Sequence, residues 1–389
     1  MIHFVVGTRA QLFKLAPIML ECRRRDLSWR WVYTAQHRET IAGTVEMFGL
    51  PPPDYVLVDW ETEAKSVGRM ARWFATMLLA LPRARRVLAG ATGRDNVVVT
   101  HGDTFTTWLG ALLGTLTRTK VMHVESGLRS FHLFQPFPEE LNRLITFRLA
   151  SYLACPNEVA VMNVERYRGE AFDTGGNTQI DTLRFGLNHV DDAEVDVPTG
   201  PFVVATIHRY ENVYNPDRFA RIVSILERAA QGRVVLFVRH PVTDTRLQKR
   251  GVGERLEANP RIRLLPRLPY LSFLRLVTEA DFVLSDGGGN QEELAYLGVP
   301  TLIMREATER PEGLGANAVL AGRDDGAVDA FLVDPSRYRR PANLPSGSPA
   351  AMIVDFLVAR GFGAAEGSSG GQPEQIARRS RPRSASSER

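Results

Sequence analysis

The sequence predicts an α/β protein built on two parallel, doubly wound sheets. Three observations carry that expectation. Short, almost wholly apolar runs recur along the chain and read as strands buried on both faces. Each is followed by residues at helical spacing, the alternation that produces parallel sheets. At 389 residues the chain exceeds one typical domain, and the alternation starts afresh near its midpoint.

Taken in order, Ile2 to Val6 is the first strand, closed by Gly7 and followed by helical spacing through Leu12, Leu15, Ile18 and Leu20. Arg9 and Lys14 fall at the top of that helix. Trp29 to Tyr33 is a second strand, and Ala64 to Leu88 has helical spacing with a break at Pro82. Asn96 to Thr100 is a strand ending at His101-Gly102-Asp103, Phe105 to Leu116 a helix, and Lys120 to Val124 a strand ending at Glu125. A proline-rich loop then delivers Glu139 and Glu140 to a helix start. The Gly/Asn/Thr-rich stretch Asp173 to Asp181 reads as the link between domains, at about residue 175.

The second half repeats the pattern. Phe202 to Ile207 is a strand ending at His208-Arg209, Arg218 to Gly232 a helix, and Val234 to Val238 a strand ending at Arg239-His240. Ile262 to Leu265 is a strand and Tyr270 to Val277 a helix. The run Phe282-Val283-Leu284 ends in Ser285-Asp286, three glycines follow, and Asn290-Gln291-Glu292-Glu293 opens helical spacing. That strand, glycine turn and helix start suit a phosphate, because first-turn N–H groups lack partners and carry partial positive charge. Arg305 and Arg310 follow the next strand, Thr301 to Met304, and Pro349 to Ala359 is a last amphipathic helix. Residues 363–389 are rich in Gly, Ser and Arg and are expected to be disordered. In doubly wound sheets ligands bind beyond the carboxyl ends of the strands, where these polar clusters fall.

Composition narrows the function. Hydrophobic content of 44% and charged content of 24% are those of an ordinary soluble protein. Net charge is +4, and the tail after Gly363 supplies about half of it, five Arg against three Glu. The body is nearly neutral, which argues against a nucleic-acid partner. Lysine occurs only at positions 14, 65, 120 and 249, so Lys14 stands out. Cys22 and Cys155 sit in apolar contexts and suggest a reducing compartment. No apolar run approaches the roughly 18 residues of a membrane span, and the N-terminus reads as a strand and not a signal peptide. A cytoplasmic protein with no membrane partner is expected. No His/Cys/Asp spacing suggests a metal.

The motifs G-T-R-A-Q-L-F-K-L-A-P, T-A-Q-H-R-E, T-H-G-D-T, H-V-E-S-G-L-R-S, P-F-P-E-E-L-N-R, G-N-T-Q-I-D, H-R-Y-E-N and D-G-G-G-N-Q-E-E with T-E-R-P-E stand in this order over residues 1–330. Together they resemble the UDP-N-acetylglucosamine 2-epimerase family, of the non-hydrolysing type. The resemblance implies two Rossmann-like domains facing a cleft, the glycosyltransferase-B architecture. Their expected bounds are 1–175 and 176–345, with a helix in 346–362 crossing back to the first domain. It implies reacting groups at Asp103, Glu125, Glu139 and His208, with Glu139 preferred to Glu140 on the motif alone. UDP contacts are implied at Arg9, Lys14, Gly288, Gly289, Glu293 and Arg310, and base stacking at Phe273. Gln36, His37 and His240 resemble positions near a regulatory substrate site. His101 and His123 are read as structural.

The resemblance further implies a UDP-sugar substrate, inversion at C2 through loss and re-addition of UDP, no cofactor, a homodimer, and a role in making a polysaccharide or glycosylated metabolite. The residue types fit. Breaking the C1–O bond calls for cations at the departing diphosphate, and moving a proton between the two faces of C2 calls for two acid/base groups. Which carboxylate serves which face stays open. Gly287 replaces a common serine and Ala10-Gln11 a common Pro-Glu, departures that bear on the sugar more than on UDP. The rival readings are a hydrolysing epimerase, a glycosyltransferase of the same fold, and a UDP-sugar-binding protein without catalysis.

Overall fold

The computed structural model describes residues 1–35, 41–57, 72, 75–76, 79–89, 96–132, 138–249, 251–308, 310–323 and 325–364. Gln36, His37 and the tail from residue 365 lie outside the described residues. Seven strands form the first sheet: β1 (Ile2–Val6), β2 (Trp29–Tyr33), β3 (Tyr55–Val56), β4 (Val97–His101), β5 (Lys120–Val124), β6 (Tyr152–Cys155) and β7 (Glu170–Asp173). Their order is β3-β2-β1-β4-β5-β6-β7, and every pairing is parallel. The second sheet contains β8 (Phe202–Thr206), β9 (Val234–Val238), β10 (Ile262–Leu265), β11 (Phe282–Ser285), β12 (Thr301–Ile303) and β13 (Ala318–Leu320). It is parallel throughout, in the order β10-β9-β8-β11-β12-β13.

Strand order therefore reverses between β1 and β4 and again between β8 and β11, the crevices where doubly wound sheets take ligands. Helices cover both faces, as the all-apolar strands require. In β1 every residue is buried: Ile2, Phe4 and Val6 pack with Leu12, Leu15 and Met19 of the helix Arg9–Arg24, while Val5 points the other way to Leu109 and Leu113. The period of two along the strand thus feeds two separate cores.

The helix Arg9–Arg24 begins with a capping box. Gln11 N donates to Thr8 Oγ1 at 3.2 Å, and Thr8 N donates to Gln11 Oε1 at 3.2 Å. Gln11 also donates through Nε2 to the carbonyl of His101 at 2.9 Å, so the Gln that departs from the common pattern ties this helix to the end of β4. The helix Pro349–Ala359 follows the second sheet yet buries Ala350, Ile353, Val354 and Leu357 in the core of the first, against the helix Arg9–Arg24. Ser348 caps it by accepting from Ala351 N at 3.1 Å.

Strands β6, β7 and β13 lie beyond what the sequence suggests, because runs of three or four residues carry too little periodicity to read. The link expected at Asp173 to Asp181 closes earlier, since Gln179 starts the helix Gln179–Asn188. Residues 64–71 of the expected Ala64 to Leu88 helix lie outside the described residues, and the break expected at Pro82 falls where the helix Leu81–Ala89 begins, with Pro82 in its first turn, where its missing N–H costs nothing. Among the described residues no helix is long and apolar enough to cross a membrane.

Gly127 illustrates how tightly the turn after β5 is packed. Its φ is +81° and a Cβ there would lie 2.0 Å from the carbonyl oxygen of Ala160, a backbone atom that cannot swing aside. Gly127→Ala should lose at least about 2 kcal/mol in denaturant unfolding. Gly43→Ala, in the exposed helix Ala42–Met47 with open space at Cβ, should instead gain about 0.5–1 kcal/mol.

Candidate active site

The first sheet supplies carboxylates. After β5 the chain turns sharply at Glu125, whose φ of 63° is left-handed for a residue that is not glycine. Such a backbone costs about 1–2 kcal/mol and persists only where its surroundings fix it. Part of the fixing comes from His123, whose Nε2 lies 2.8 Å from the Gly102 carbonyl and whose Nδ1 lies 3.0 Å from Ser126 Oγ. A carbonyl only accepts, so the His123 proton sits on Nε2. Burial pushes this imidazole down to about 4 and keeps it neutral, the structural role read from the sequence.

The Glu125 side chain is 10% exposed and surrounded by basic side chains. Lys14 Nζ donates to Oε2 at 2.7 Å, His101 Nε2 lies 3.0 Å from the same oxygen, and Arg310 Nη2 reaches to 4.0 Å of Oε1 from the second sheet. Burial alone would raise this carboxyl. Lys14, His101 and Arg310 outweigh it and hold Glu125 well below the usual carboxylate range. His101, read from sequence as structural, is thus in contact with an expected reacting group.

Asp103 follows Gly102 at the end of β4. Arg143 Nη2 meets its Oδ2 at 2.5 Å, and Asn142 Nδ2 donates to its backbone carbonyl at 2.8 Å. The two adjacent glutamates of the helix Glu139–Leu149 differ sharply. Glu140 is fully buried and accepts from Arg129 Nε, from Ser130 N at 3.2 Å and from Arg143 Nη1 at 3.5 Å. Glu139 Oε2 is buried with no hydrogen-bond partner among the described residues. Glu140 is therefore committed to an ion-pair network, and Glu139 has a carboxylate to spare.

The second sheet supplies an anion seat and the remaining cations. Asp286, fully buried at the end of β11, accepts from His208 N, from Arg209 N at 2.9 Å and from Asn212 Nδ2 at 2.9 Å. It lies 3.3 Å from His208 Nδ1, while the half-exposed His208 ring faces His240 with centroids 5.4 Å apart. The three glycines are not a turn, as the sequence suggests. Gly287 is the extended N-cap, and Gly288 and Gly289 are the first two residues of the helix Gly288–Leu297. Gly287 caps nothing with a side chain, and the Cβ position of Gly289 has open space around it. A Cβ on Gly287 would stand 2.9 Å from His208 Cε1, so glycine lets the imidazole lie against an open helix start. That pairing of uncapped N–H groups with a neighbouring imidazole suits an anion.

Arg310 Nη1 pairs with buried Glu292 at 2.7 Å, and Gln291 Nε2 donates to the carbonyls of Arg310 and Glu312 at 2.9 and 3.0 Å. Glu293 Oε1 accepts from Tyr270 OH at 2.9 Å and from Gln179 Nε2, and burial pushes this carboxyl up to about 7. Tyr270 in turn packs edge-on against Phe13 at 5.1 Å, joining the two sheets, while Phe273 on the same helix packs on the core of the second sheet. Arg9 lies over the Phe13 ring at 5.0 Å, and burial together with the charge of Arg267 lowers it to about 10, still cationic at neutral pH.

Lys14, Glu125 and Arg310 are thus brought into one cluster, Asp103 is held by the helix that Glu139 opens, and His208, facing His240, lies against Gly287. Sequence reasoning misses His101, Arg143, Glu292, Tyr270 and Gln179. The signal is present for Arg143, three residues after Glu140 on one helix face. Among the described residues no group of three or more His, Cys, Asp or Glu is placed to hold a metal.

Residues 20–341 match the family model described as UDP-N-acetylglucosamine 2-epimerase. The chain belongs to the UDP-N-acetylglucosamine 2-epimerase family. It is 30% identical over 373 residues to the UDP-N-acetylglucosamine 2-epimerase of Methanocaldococcus jannaschii, covering 92% of this chain and 98% of that one. The solved structure of the Methanocaldococcus jannaschii enzyme in complex with UDP-GlcNAc and UDP superposes with a TM-score of 0.75, at 30% identity over 92% of this chain and 99% of that one. A further relative, 30% identical over 338 residues, 84% of this chain and 90% of its own length, is the UDP-2,3-diacetamido-2,3-dideoxy-D-glucuronate 2-epimerase of Pseudomonas aeruginosa. The two parallel, doubly wound sheets with interleaved helices are the α/β architecture expected from the sequence.

Glu293 gives a pH test of this geometry. Its folded pKa is raised from 4.5 to about 7, so the unfolded chain releases this proton first and the fold is penalised as pH rises between those values. Glu293→Gln should be more stable than wild type above pH 7, on the order of 3 kcal/mol, with the gap closing toward pH 4.5. Urea unfolding across that range checks it, and a gap that widens on acidification contradicts it.

Proposed function

We propose that this protein is a non-hydrolysing epimerase that inverts C2 of UDP-N-acetylglucosamine or a modified relative, giving the UDP-N-acetylmannosamine type of product. The observation that carries the reading is the meeting of ionised Glu125 with Lys14 and Arg310 where the two sheets face each other, beside the open start of the helix Gly288–Leu297. One cleft then offers both a seat for a diphosphate and groups that move a proton. The names of the relatives support the nucleotide sugar, and the Pseudomonas aeruginosa relative's substrate supports a sugar with further substituents.

In this reading Arg9, Lys14 and Arg310 stabilise the diphosphate from one side, and Gly288, Gly289 and His208 from the other. Phe273 lies under the uracil, and Glu293 takes the ribose hydroxyls. A carboxylate takes the C2 proton as the C1–O electron pair leaves with UDP, and a C1=C2 double bond forms. Asp103, Glu125 and Glu139 share this step and its reverse, in which C2 is protonated on the opposite face and UDP adds back to C1. No oxidant and no net proton are needed.

We further read residues 1–175 and 176–345 as the two domains, with the helix Pro349–Ala359 as the strap between them, and the protein as a cytoplasmic homodimer serving polysaccharide or glycosylated-metabolite synthesis. His240, with Gln36 and His37, is read as the regulatory substrate position.

Proton NMR of UDP-N-acetylglucosamine incubated with the protein in deuterated water tests the activity. Deuterium at C2 with a growing UDP-N-acetylmannosamine signal is expected. Free N-acetylmannosamine and UDP would assign the chain to the hydrolysing branch, and tight UDP-sugar binding with no exchange would overturn catalysis on this sugar. Asp103→Asn, Glu139→Gln and His208→Asn should each slow exchange by about 100-fold or more while UDP still binds, as calorimetry would record.

A further inference from the structure

The stretch P-F-P-E-E-L-N-R contributes more than Glu139. In the helix Glu139–Leu149, Glu140 and Arg143 stand one turn apart on one face. Arg129 and Ser130, from the segment after β5, anchor Glu140, whose side chain is 1% exposed. Arg143 then forks between two carboxylates. Its Nη1 lies 3.5 Å from Glu140 Oε2, and its Nη2 lies 2.5 Å from Asp103 Oδ2. The residue before it, Asn142, is buried and donates Nδ2 to the Asp103 carbonyl at 2.8 Å. Main chain and side chain of Asp103 are therefore both gripped by one helix, across 39 and 40 residues of sequence.

We propose that Arg143 is a positioning residue, which holds Asp103 Oδ2 so that Oδ1 is turned to the sugar, and that Glu140 is the buried anchor that fixes Arg143. This rests on the epimerase reading above. The physical reason is the planar guanidinium: its donors diverge at fixed angles, so a fork tied to Glu140 cannot follow Asp103 if the carboxylate rotates. A lysine would supply the charge without that direction. Arg143 acts through Asp103 and does not itself meet the substrate.

The test compares Arg143→Gln with wild type, Asp103→Asn and the double variant, by C2 deuterium exchange and calorimetric UDP binding. Arg129 still pairs with Glu140 in Arg143→Gln, so the buried carboxylate keeps a partner and the chain has reason to fold. The expected result is kcat lower by about 10- to 100-fold with KM and Tm little changed, since a reacting group held an ångström off costs turnover more than binding. Arg143→Lys should fall between Arg143→Gln and wild type. The double variant should be no slower than Asp103→Asn, because Arg143 has nothing to aim once the carboxylate is gone.

Wild-type kcat in Arg143→Gln, a loss confined to KM or Tm, or a further loss in the double variant would each overturn the inference. A wild-type protein that binds the UDP-sugar without exchange would remove the epimerase reading and this inference with it. Exchange in wild type that Arg143→Gln matches would remove the inference alone.

Discussion

A buried carboxylate must be offset by nearby positive charge, and in this molecule that requirement is met at Glu125. The side chain leaves the end of β5 from a left-handed backbone, in a position closed to water on most sides. An unpaired ion there would cost several kcal/mol or take up a proton. Lys14 answers from the first helix and Arg310 from the opposite sheet, while the His101 imidazole touches the same oxygen as Lys14 from the neighbouring strand end. Arg310 is tied to Glu292, so the alternation of charge runs from one sheet into the other. The same cations that steady Glu125 are the ones a diphosphate would seek, which makes the electrostatics of the fold and of the proposed reaction one problem.

Geometry does the rest through small residues. Gly7 lets β1 end against Thr34 and Thr106, Gly127 lets the β5 turn press on Ala160, and Gly287 lets His208 lie against the start of the helix Gly288–Leu297. These contacts draw the strand ends close enough for long side chains to meet across them. Asp286 completes the second wall by taking the N–H groups of His208 and Arg209 on one carboxylate. The helix Pro349–Ala359 then closes the first core with residues from the far end of the described chain.

Much of this is legible in the sequence because it depends on residues adjacent in the chain. A buried strand followed by a polar residue marks a strand end, so local sequence alone places Asp103, Glu125, His208 and Asp286 at the carboxyl edge of a sheet. The strands β1, β2, β5, β9 and β10 and the helix Pro349–Ala359 carry enough apolar residues to set their own bounds. The glycine triplet reads as a turn and is not one, because glycine frequency says nothing about φ, and here none of the three needs a positive one. His101 and Arg143 do not stand out in sequence because their partners are set by strand pairing and helix docking, which spacing along one segment does not encode. The choice between Glu139 and Glu140 is of the same kind, since only packing decides which of two neighbours on a helix is turned inward.

The central claim is that the cations of this cleft stabilise a diphosphate leaving C1 while it remains bound. Positional isotope exchange tests it most directly. UDP-N-acetylglucosamine carrying oxygen-18 in the bridge between C1 and the β-phosphorus would be incubated with the protein and followed by phosphorus NMR. Movement of the label into the non-bridging β-phosphate positions, in step with epimerisation at C2, is the predicted result. Epimerisation with the label fixed in the bridge, and with neither glycal nor free UDP formed on long incubation, would contradict the account.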